Sequence, residues 1–415
     1  MAKKKKLAII GGGASGLACA IEAARIADNR VEITIYEAGV RVGKKLLGTG
    51  NGRCNMLNIN ACAEDYHGDS AFAKYALDIF TPQDNIEFFN SIGLYTKTED
   101  DGRVYPLSNQ AAGVLDALRF AVDTCSVNTV CECCIEEITP LEKGFMLNNK
   151  YYADAVVVAA GGKVPCSKAD KCNAHELLKK LGHNITPLLP SLVQLITKET
   201  SVKALKGLRA DVTMTLTAGS KLLRKEQGEL LFTDYGLSGI VSMQLSGAAA
   251  RFINSSGKKP IVYIDFAPDF SFEELRKAIN DICRNLPTLE IENLLSGFMA
   301  KRIGQMIVKE CGFVQLAMPV SKLSQRDVSA LCSAVKSFAF TVNGVRDFAF
   351  AQVTAGGADT AQFNDETMES RLYKNLYCAG EVLDVDGDCG GYNLQWAWSS
   401  GRLAAQSAVK ELIGN

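Results

Sequence analysis

Apolar and polar positions along this chain switch between two rhythms, and the switches mark its elements. Residues 5–10 read as a buried strand. Ala14 to Ala27 is Ala-rich with helical spacing, and Val31 to Tyr36 alternates as a strand that stops at Glu37. Strand, helix and strand make one βαβ unit of about thirty residues. Residues 43–55 hold too much Gly for either element and are expected to form a loop. Helices are predicted over 71–92 and 111–124, and strands over 128–138, 142–152 and 155–160.

The rhythm changes after Pro187 and Pro190. Residues 191–266 alternate in strand fashion, with Val212 to Thr217 the clearest stretch. Residues 270–337 are helical in pattern, interrupted at Pro287 and Pro319, and 338–353 return to strands. The tail from 376 to 401 reads as a short buried strand, an acidic Gly-rich turn, and a helix entered through Gly390 and Gly391. The expected organisation is a discontinuous dinucleotide domain (1–190 and 354–415). A β-rich insertion (191–269 and 338–353) itself carries a helical insertion (270–337).

At 415 residues the chain is too long for one ordinary core. A net charge of −1 gives no support to a nucleic-acid or anionic-membrane partner. Fourteen cysteines, with Cys131, Cys133 and Cys134 close together, suit a reducing setting, so a cytoplasmic location is expected. Lys3 to Lys6 before Leu7 to Ile10 imitates a signal peptide, but the apolar run breaks at Gly11 after four residues, and export is not expected. No stretch is long enough to span a bilayer.

The chemistry starts with Gly11-x-Gly13-Ala14-Ser15-Gly16. Glycines there let the backbone turn tightly and approach a pyrophosphate, with a helix N-terminus supplying N–H groups. Glu37 and Ala38 follow about twenty residues later, where a carboxylate accepts hydrogen bonds from ribose and disfavours a 2′-phosphate. The motif alone leaves NAD and FAD open. Two further features favour FAD. Tyr152 to Ala160-Gly161-Gly162 resembles the second nucleotide-side motif of two-dinucleotide-fold flavoproteins. Tyr377-Cys-Ala-Gly380-Glu381 resembles their ribityl-binding motif. In that class a carboxylate, here Glu381, binds the ribityl hydroxyls. A later helix, here entered through Gly391-Tyr392-Asn393-Leu394, points its N-terminus at the flavin pyrimidine ring and stabilises the charge that reduction places there.

The chain also resembles the BaiN-like family of predicted flavoproteins over nearly its whole length. The likeness rests on Gly43-Lys-Lys-Leu-Leu, Gly52-Arg-Cys-Asn55, Gly102 to Asn109, Gly228 to Thr233, Gly236-Leu-Ser-Gly239, and Thr367 through Gly401. It implies an α/β fold, with a glutathione-reductase-like Rossmann FAD domain, an inserted β-barrel-like domain and a small helical domain. Two places depart from the family pattern. Asp234 and Ile240 stand where a His and a Pro are usual, and the Ser167–Asn173 loop replaces a Gly-Ser-rich turn.

The resemblance places residues 48–55 against the flavin, with Asn51, Gly52, Arg53, Cys54 and Asn55 as contacts. It turns Lys44 and Lys45 toward phosphates or ribose and sets Ile135 near adenine. A purely structural loop and solvated lysines are the plain alternatives. Cys54 is expected to pack rather than react, because it lacks a near CxxC partner. Cys131-x-Cys133-Cys134 has no second pair, so no metal is expected. His67, His175 and His183 form no triad, and Trp396 and Trp398 are expected to be buried.

The reading is an FAD-dependent oxidoreductase with non-covalent FAD, passing hydride between flavin N5 and a small organic substrate or NAD(P)H. No second GxGxxG unit exists, so any nicotinamide would bind transiently. Arg53, Asp234 and Tyr392 are the catalytic candidates. The rivals are a structural or regulatory flavin, a flavoprotein monooxygenase, and an RNA-modifying enzyme, the last disfavoured by charge. The sequence does not give the oligomeric state.

Overall fold

The computed structural model describes residues 4–164 and 172–414. The chain divides into two compact units, Met1–Leu189 with Val353–Asn415, and Pro190–Gln352. The first unit is built on a parallel sheet of five strands. In spatial order these are Leu376–Cys378, Ala155–Val158, Lys5–Ile10, Val31–Tyr36 and Asn128–Val130. Ile9 is registered with Ile35 on one side and Val157 on the other. A parallel sheet is covered on both faces, so its strands are apolar at successive positions. Val156, Val157 and Val158 are all fully buried. The sheet takes strands from both ends of the sequence, which brings both sets of glycine motifs into one unit.

The helix Ala14–Ala27 packs against the long C-terminal helix Tyr392–Ile413. The approach depends on missing side chains. A Cβ on Gly16 would strike the Gly11 carbonyl, and one on Gly401 the Ser15 backbone. Arg402 then reaches Glu22 at 3.1 Å, with both side chains only 11% exposed. Its guanidinium also covers the Phe80 and Phe88 rings at 4.1 and 4.9 Å. Breaking so buried a pair costs about 3–5 kcal/mol. Trp396 and Trp398 are buried in the same core, and the Trp398 indole donates to the Met56 carbonyl at 2.8 Å.

Several expected elements are divided. The helix predicted over 71–92 is two, Ser70–Ile79 and Pro82–Ser91, because Pro82 starts a new helix capped by Thr81 and Asp84. The strand predicted over 128–138 covers only Asn128–Val130, and Ile138–Pro140 joins a separate three-stranded sheet. The stretch 142–152 is a hairpin of Phe145–Leu147 and Tyr151–Ala153, turning at Asn148 and Asn149 with φ of 48° and 51°. The loop over 43–55 contains 3₁₀ turns across Lys44–Gly52.

The second unit holds a closed barrel of six strands. Their order is Leu195–Thr197, Gly236–Ser238, Lys221–Phe232, Arg209–Ala218, Ile261–Asp265 and Phe338–Val345. Val212, Met214 and Leu216, every second residue of one strand, are fully buried, as period-two patterning requires. The strand reading of 191–266 fails at Ile240–Ser256, which is a helix. Val241, Met243 and Leu245 imitate alternation, but burial follows Val241, Leu245 and Ala249 at the i, i+4 period. Helices Phe272–Asn285, Lys301–Glu310 and Gln325–Lys336 complete the unit. The first and last of them begin with capping boxes, Ser271 with Glu274 and Ser324 with Asp327.

Candidate dinucleotide-binding site

The N-terminal half of the site is set by backbone geometry. Gly11 has φ +105°, and a Cβ there would lie 2.6 Å from the Ala159 oxygen, so only glycine fits between the two strand ends. A Cβ on Gly13 would meet nothing within 4 Å, so this glycine faces an open cradle. Gly13 is also the N-cap of the following helix, and no side chain caps it. The N–H groups of Ala14, Ser15 and Gly16 therefore have no intrahelical acceptor and suit an anion.

Glu37 is fixed in advance. Its Oε2 accepts the Gly12 N–H at 2.8 Å, and its Oε1 accepts the N–H of Gly39, just past Ala38, at 2.7 Å. Each oxygen keeps a lone pair for a further donor. Cys133 donates its N–H to the Glu37 carbonyl at 2.9 Å, which carries the segment leading to buried Ile135 along the same wall. A hollow of about 340 Å³ adjoins this wall, lined by Val40, Arg41, Arg119 and Cys131 among others. Arg41 and Arg119 escaped the sequence reading. An arginine four residues after Glu37 was the available signal for the first, and nothing local marked the second.

The second half centres on Glu381. Its Oε2 contacts Lys45 Nζ at 2.5 Å, and its Oε1 accepts the Thr354 N–H at 2.8 Å. Against the desolvation of its position, the Lys45 ammonium and the Thr354 hydrogen bonds hold this carboxyl below the ordinary carboxylate range. Lys45 thus meets an acid, whereas the expectation turned it toward phosphates or ribose. Lys44 is exposed. Gly161 has φ +76°, and a Cβ on Gly162 would lie 2.7 Å from Glu381 Oε1, next to exposed Ala160. Gly380 has φ +77° and donates its N–H to Ser400 Oγ at 2.9 Å. Thr354, which orders both Glu381 and the Lys163 N–H, was not singled out from sequence.

The third part is the N-terminus of the C-terminal helix. Gly391 is its N-cap at φ +101°, again without a side-chain cap. A Cβ there would lie 2.5 Å from the Leu57 carbonyl carbon and 2.8 Å from Asn55 Oδ1. That Asn55 oxygen is buried and has no hydrogen-bond partner among the described residues. The first-turn N–H groups of Tyr392, Asn393 and Leu394 lie at the same end. The Asn393 side chain is spent on the backbone of Gly387 and Asp388. Tyr392 is half-buried, and burial pushes its phenol up to about 12.

The loop before Asn55 is held in unusual backbone. Asn51 and Cys54 have φ of 54° and 60°, flanking Gly52 at 84°. Cys54 is fully buried, and burial pushes its thiol up to about 11, in keeping with a packing role. Arg53 is committed elsewhere. It pairs with Glu99 at 2.5 Å, donates to Asn109 at 2.9 Å and covers the Tyr105 ring at 3.9 Å. These contacts make it a brace for the loop. Asp234 belongs to the second unit, where it is exposed and paired with Lys206 at 2.7 Å.

The histidines have structural partners. His67 meets Asp388 at 2.6 Å, His183 meets Ser370 at 2.8 Å, and His175 is buried in the helix Ala174–Lys180. Cys134 is joined to Cys172 by a disulfide with Cα atoms 5.6 Å apart, which runs against the reducing setting expected from the cysteine content. Of the divergent Ser167–Asn173 loop, residues 167–171 lie outside the described residues, and Asn173 caps the Ala174 helix. Among the described residues no group of His, Cys, Asp or Glu could hold a metal ion, and no helix is long and apolar enough to cross a membrane.

Comparison with known proteins agrees with this geometry. Residues 5–407 match the family described as HI0933-like protein Rossmann domain. The chain is 37% identical over 409 residues to a 3-dehydro-bile acid delta(4,6)-reductase of Clostridium scindens, covering 98% of this chain and 99% of that one. It is 28% identical to a ribosomal RNA dihydrouridine synthase of Haemophilus influenzae, covering 97% and 98% of the two chains. To the protein of that name in Escherichia coli it is 29% identical, covering 97% of each. The chain therefore belongs to the HI0933-like Rossmann-domain family, the BaiN-like group of flavoprotein oxidoreductases that its own motifs resemble.

Proposed function

We propose that this protein binds FAD non-covalently and reduces a carbon–carbon double bond conjugated to a carbonyl in a small organic molecule. The observation that carries the reading is the pairing of two uncapped helix N-termini, at Gly13 and Gly391, within one unit. The same unit holds the hydrogen-bonded carboxylate of Glu37, a second carboxylate, Glu381, and the unpartnered oxygen of Asn55. This donor set fits a long ligand with a ribose and pyrophosphate at one end and a polar ring at the other. FAD, when bound, supplies a two-electron hydride carrier.

The residues then divide the work. Glu37 takes the adenosine ribose, and the Ala14–Gly16 N–H groups take the pyrophosphate. Glu381, ordered by Lys45 and Thr354, takes the ribityl hydroxyls. The helix entered at Tyr392 would hold the ring end of the cofactor through its positive N-terminus, which would favour negative charge there by preorganisation. Asn55 supplies a hydrogen-bonding group at the same edge. Tyr392 keeps its proton across neutral pH and is the candidate proton donor.

The relatives' names support the proposed reaction class. A delta(4,6)-reductase of a 3-dehydro compound and a dihydrouridine synthase both concern the saturation of a double bond conjugated to a carbonyl. A small-molecule substrate is favoured over RNA by the higher identity to the bile acid enzyme and by the net charge of −1. With no second GxGxxG unit, a nicotinamide donor binds transiently.

The test is an absorbance spectrum of the purified protein, then anaerobic titration with NADH and NADPH, then addition of a 3-oxo-4,6-dienoic steroid acid. Bleaching of a yellow protein by one nicotinamide and recovery of colour on adding the dienone is the expected result. A colourless protein that cannot be reconstituted with FAD refutes the cofactor assignment. A reduced protein left unchanged by dienones refutes the reaction class.

A further inference from the structure

We infer that the barrel unit carries a receptor for an organic carboxylate, built from Arg346, Tyr235 and Gln194. The Arg346 guanidinium lies over two aromatic rings, 4.5 Å from the Tyr235 centroid and 3.6 Å from that of Phe350. Among the described residues it has no carboxylate partner and its side chain donates no hydrogen bond. Other partly buried arginines are paired: Arg53 with Glu99, Arg224 with Glu226, Arg402 with Glu22. The neighbouring acid, Asp347, accepts the Ala349 N–H in its own turn. Arg346 is thus a held guanidinium whose N–H edges remain to be used.

Gln194 lies directly opposite. The Arg346 N–H donates to the Gln194 carbonyl at 3.0 Å, one rung beyond the Leu195–Val345 pair. Opposed residues of an antiparallel pair project from the same face. The Gln194 side-chain oxygen is buried without a partner. Because an amide can be turned end for end, that position offers an acceptor or two donors. A planar carboxylate matches a guanidinium fork with two parallel hydrogen bonds and takes a third from the amide. Phe350 is 47% exposed and offers an apolar wall to hydrocarbon joined to the acid. The ligand class is therefore an acid with a hydrocarbon body. Its identity as the substrate rests on the reductase reading above, whereas its binding does not.

The test titrates full-length, FAD-loaded protein by calorimetry with cholate and with the neutral primary amide of cholate. Cholate is expected to bind at least about ten-fold more tightly. Arg346→Met abolishes the difference and Arg346→Lys keeps part of it, with flavin absorbance and Tm reporting that each variant is folded. Should Arg346→Met fail to fold, the wild-type preference and its reduction in Arg346→Lys carry the test. Equal binding of acid and amide to wild type overturns the proposal, as does a folded Arg346→Met that keeps the preference. Inorganic phosphate displacing cholate at equal concentration overturns the carboxylate assignment. Carboxylate binding without dienone reduction refutes the reductase reading alone, and reduction of acid and amide with equal affinity refutes this inference alone.

Discussion

Replacing Glu381 by Gln tests whether the Lys45 pair sets the grip on the cofactor. The carboxylate makes two contacts, with Lys45 at 2.5 Å and with the Thr354 N–H at 2.8 Å. The side chains of Lys45 and Glu381 are 39% and 20% exposed, so solvent screens the pair. Its worth is then about 1 kcal/mol, near the top of the range for exposed pairs and well below that of a buried one. Gln still accepts from Thr354 but without charge assistance, a further loss of about 1 kcal/mol. Because these contacts form without the ligand, the sum of about 2 kcal/mol sets an upper limit on the effect, an FAD Kd raised by up to roughly 25-fold for Glu381→Gln. Lys45→Met removes only the pair and raises Kd by up to about five-fold. The double variant settles the cause. If the two side chains act on the ligand through each other, it matches Glu381→Gln within about two-fold. The assay is FAD binding to apo-protein, followed by flavin fluorescence. A double variant whose loss is the product of the single losses, or an unchanged Kd in Glu381→Gln, would refute the reasoning.

Four further outcomes follow from the structure. Gly13→Ala leaves the Tm of the apo-protein unchanged, because its Cβ meets nothing, yet weakens FAD at least about ten-fold by blocking close approach of the pyrophosphate. Gly11→Ala instead lowers the Tm, since a left-handed φ and a 2.6 Å clash act on the fold itself. A carboxyl held below its ordinary value, as in Glu381, adds stability above the unfolded pKa of about 4.3 and loses it as pH falls through the folded value. The acid limb of a Tm–pH curve is therefore expected below about pH 4 and should flatten in Glu381→Gln. Reducing the Cys134–Cys172 disulfide opens a loop of 38 residues, for which chain entropy gives about 4 kcal/mol. Dithiothreitol should lower the Tm and free two thiols, and Cys134→Ser should remove the dithiothreitol effect. A Tm indifferent to reductant would count against the pairing.

The sequence by itself determined the parts whose requirements are local. Gly11 and Gly16 answer to a positive φ and a close backbone contact, demands that only glycine meets, and Gly13 borders an open cradle. Glu37 follows from strand length, because the acid must fall where the second strand ends. The switch from period two to period 3.6 located the dinucleotide unit and the insertion, since burial on one face repeats with the backbone. It failed at Ile240–Ser256, where short apolar spacings serve both periods. It also failed over 71–92, where helical apolar spacing runs on across Pro82, although a proline suits the start of a helix and breaks its interior.

Only the tertiary structure decided who meets whom. Lys45 and Glu381 are 336 residues apart, and nothing in either neighbourhood foretells the pair. Arg53 looked available for a ligand until Glu99, Asn109 and Tyr105 closed around it. Asn55 was among the expected flavin contacts, but only the fold sets Gly391 beside it and leaves its oxygen buried with no partner among the described residues. The physical reason is common to all three. Backbone preferences act over a few residues and can be read in order, whereas pairing and desolvation depend on which surfaces the finished fold brings together.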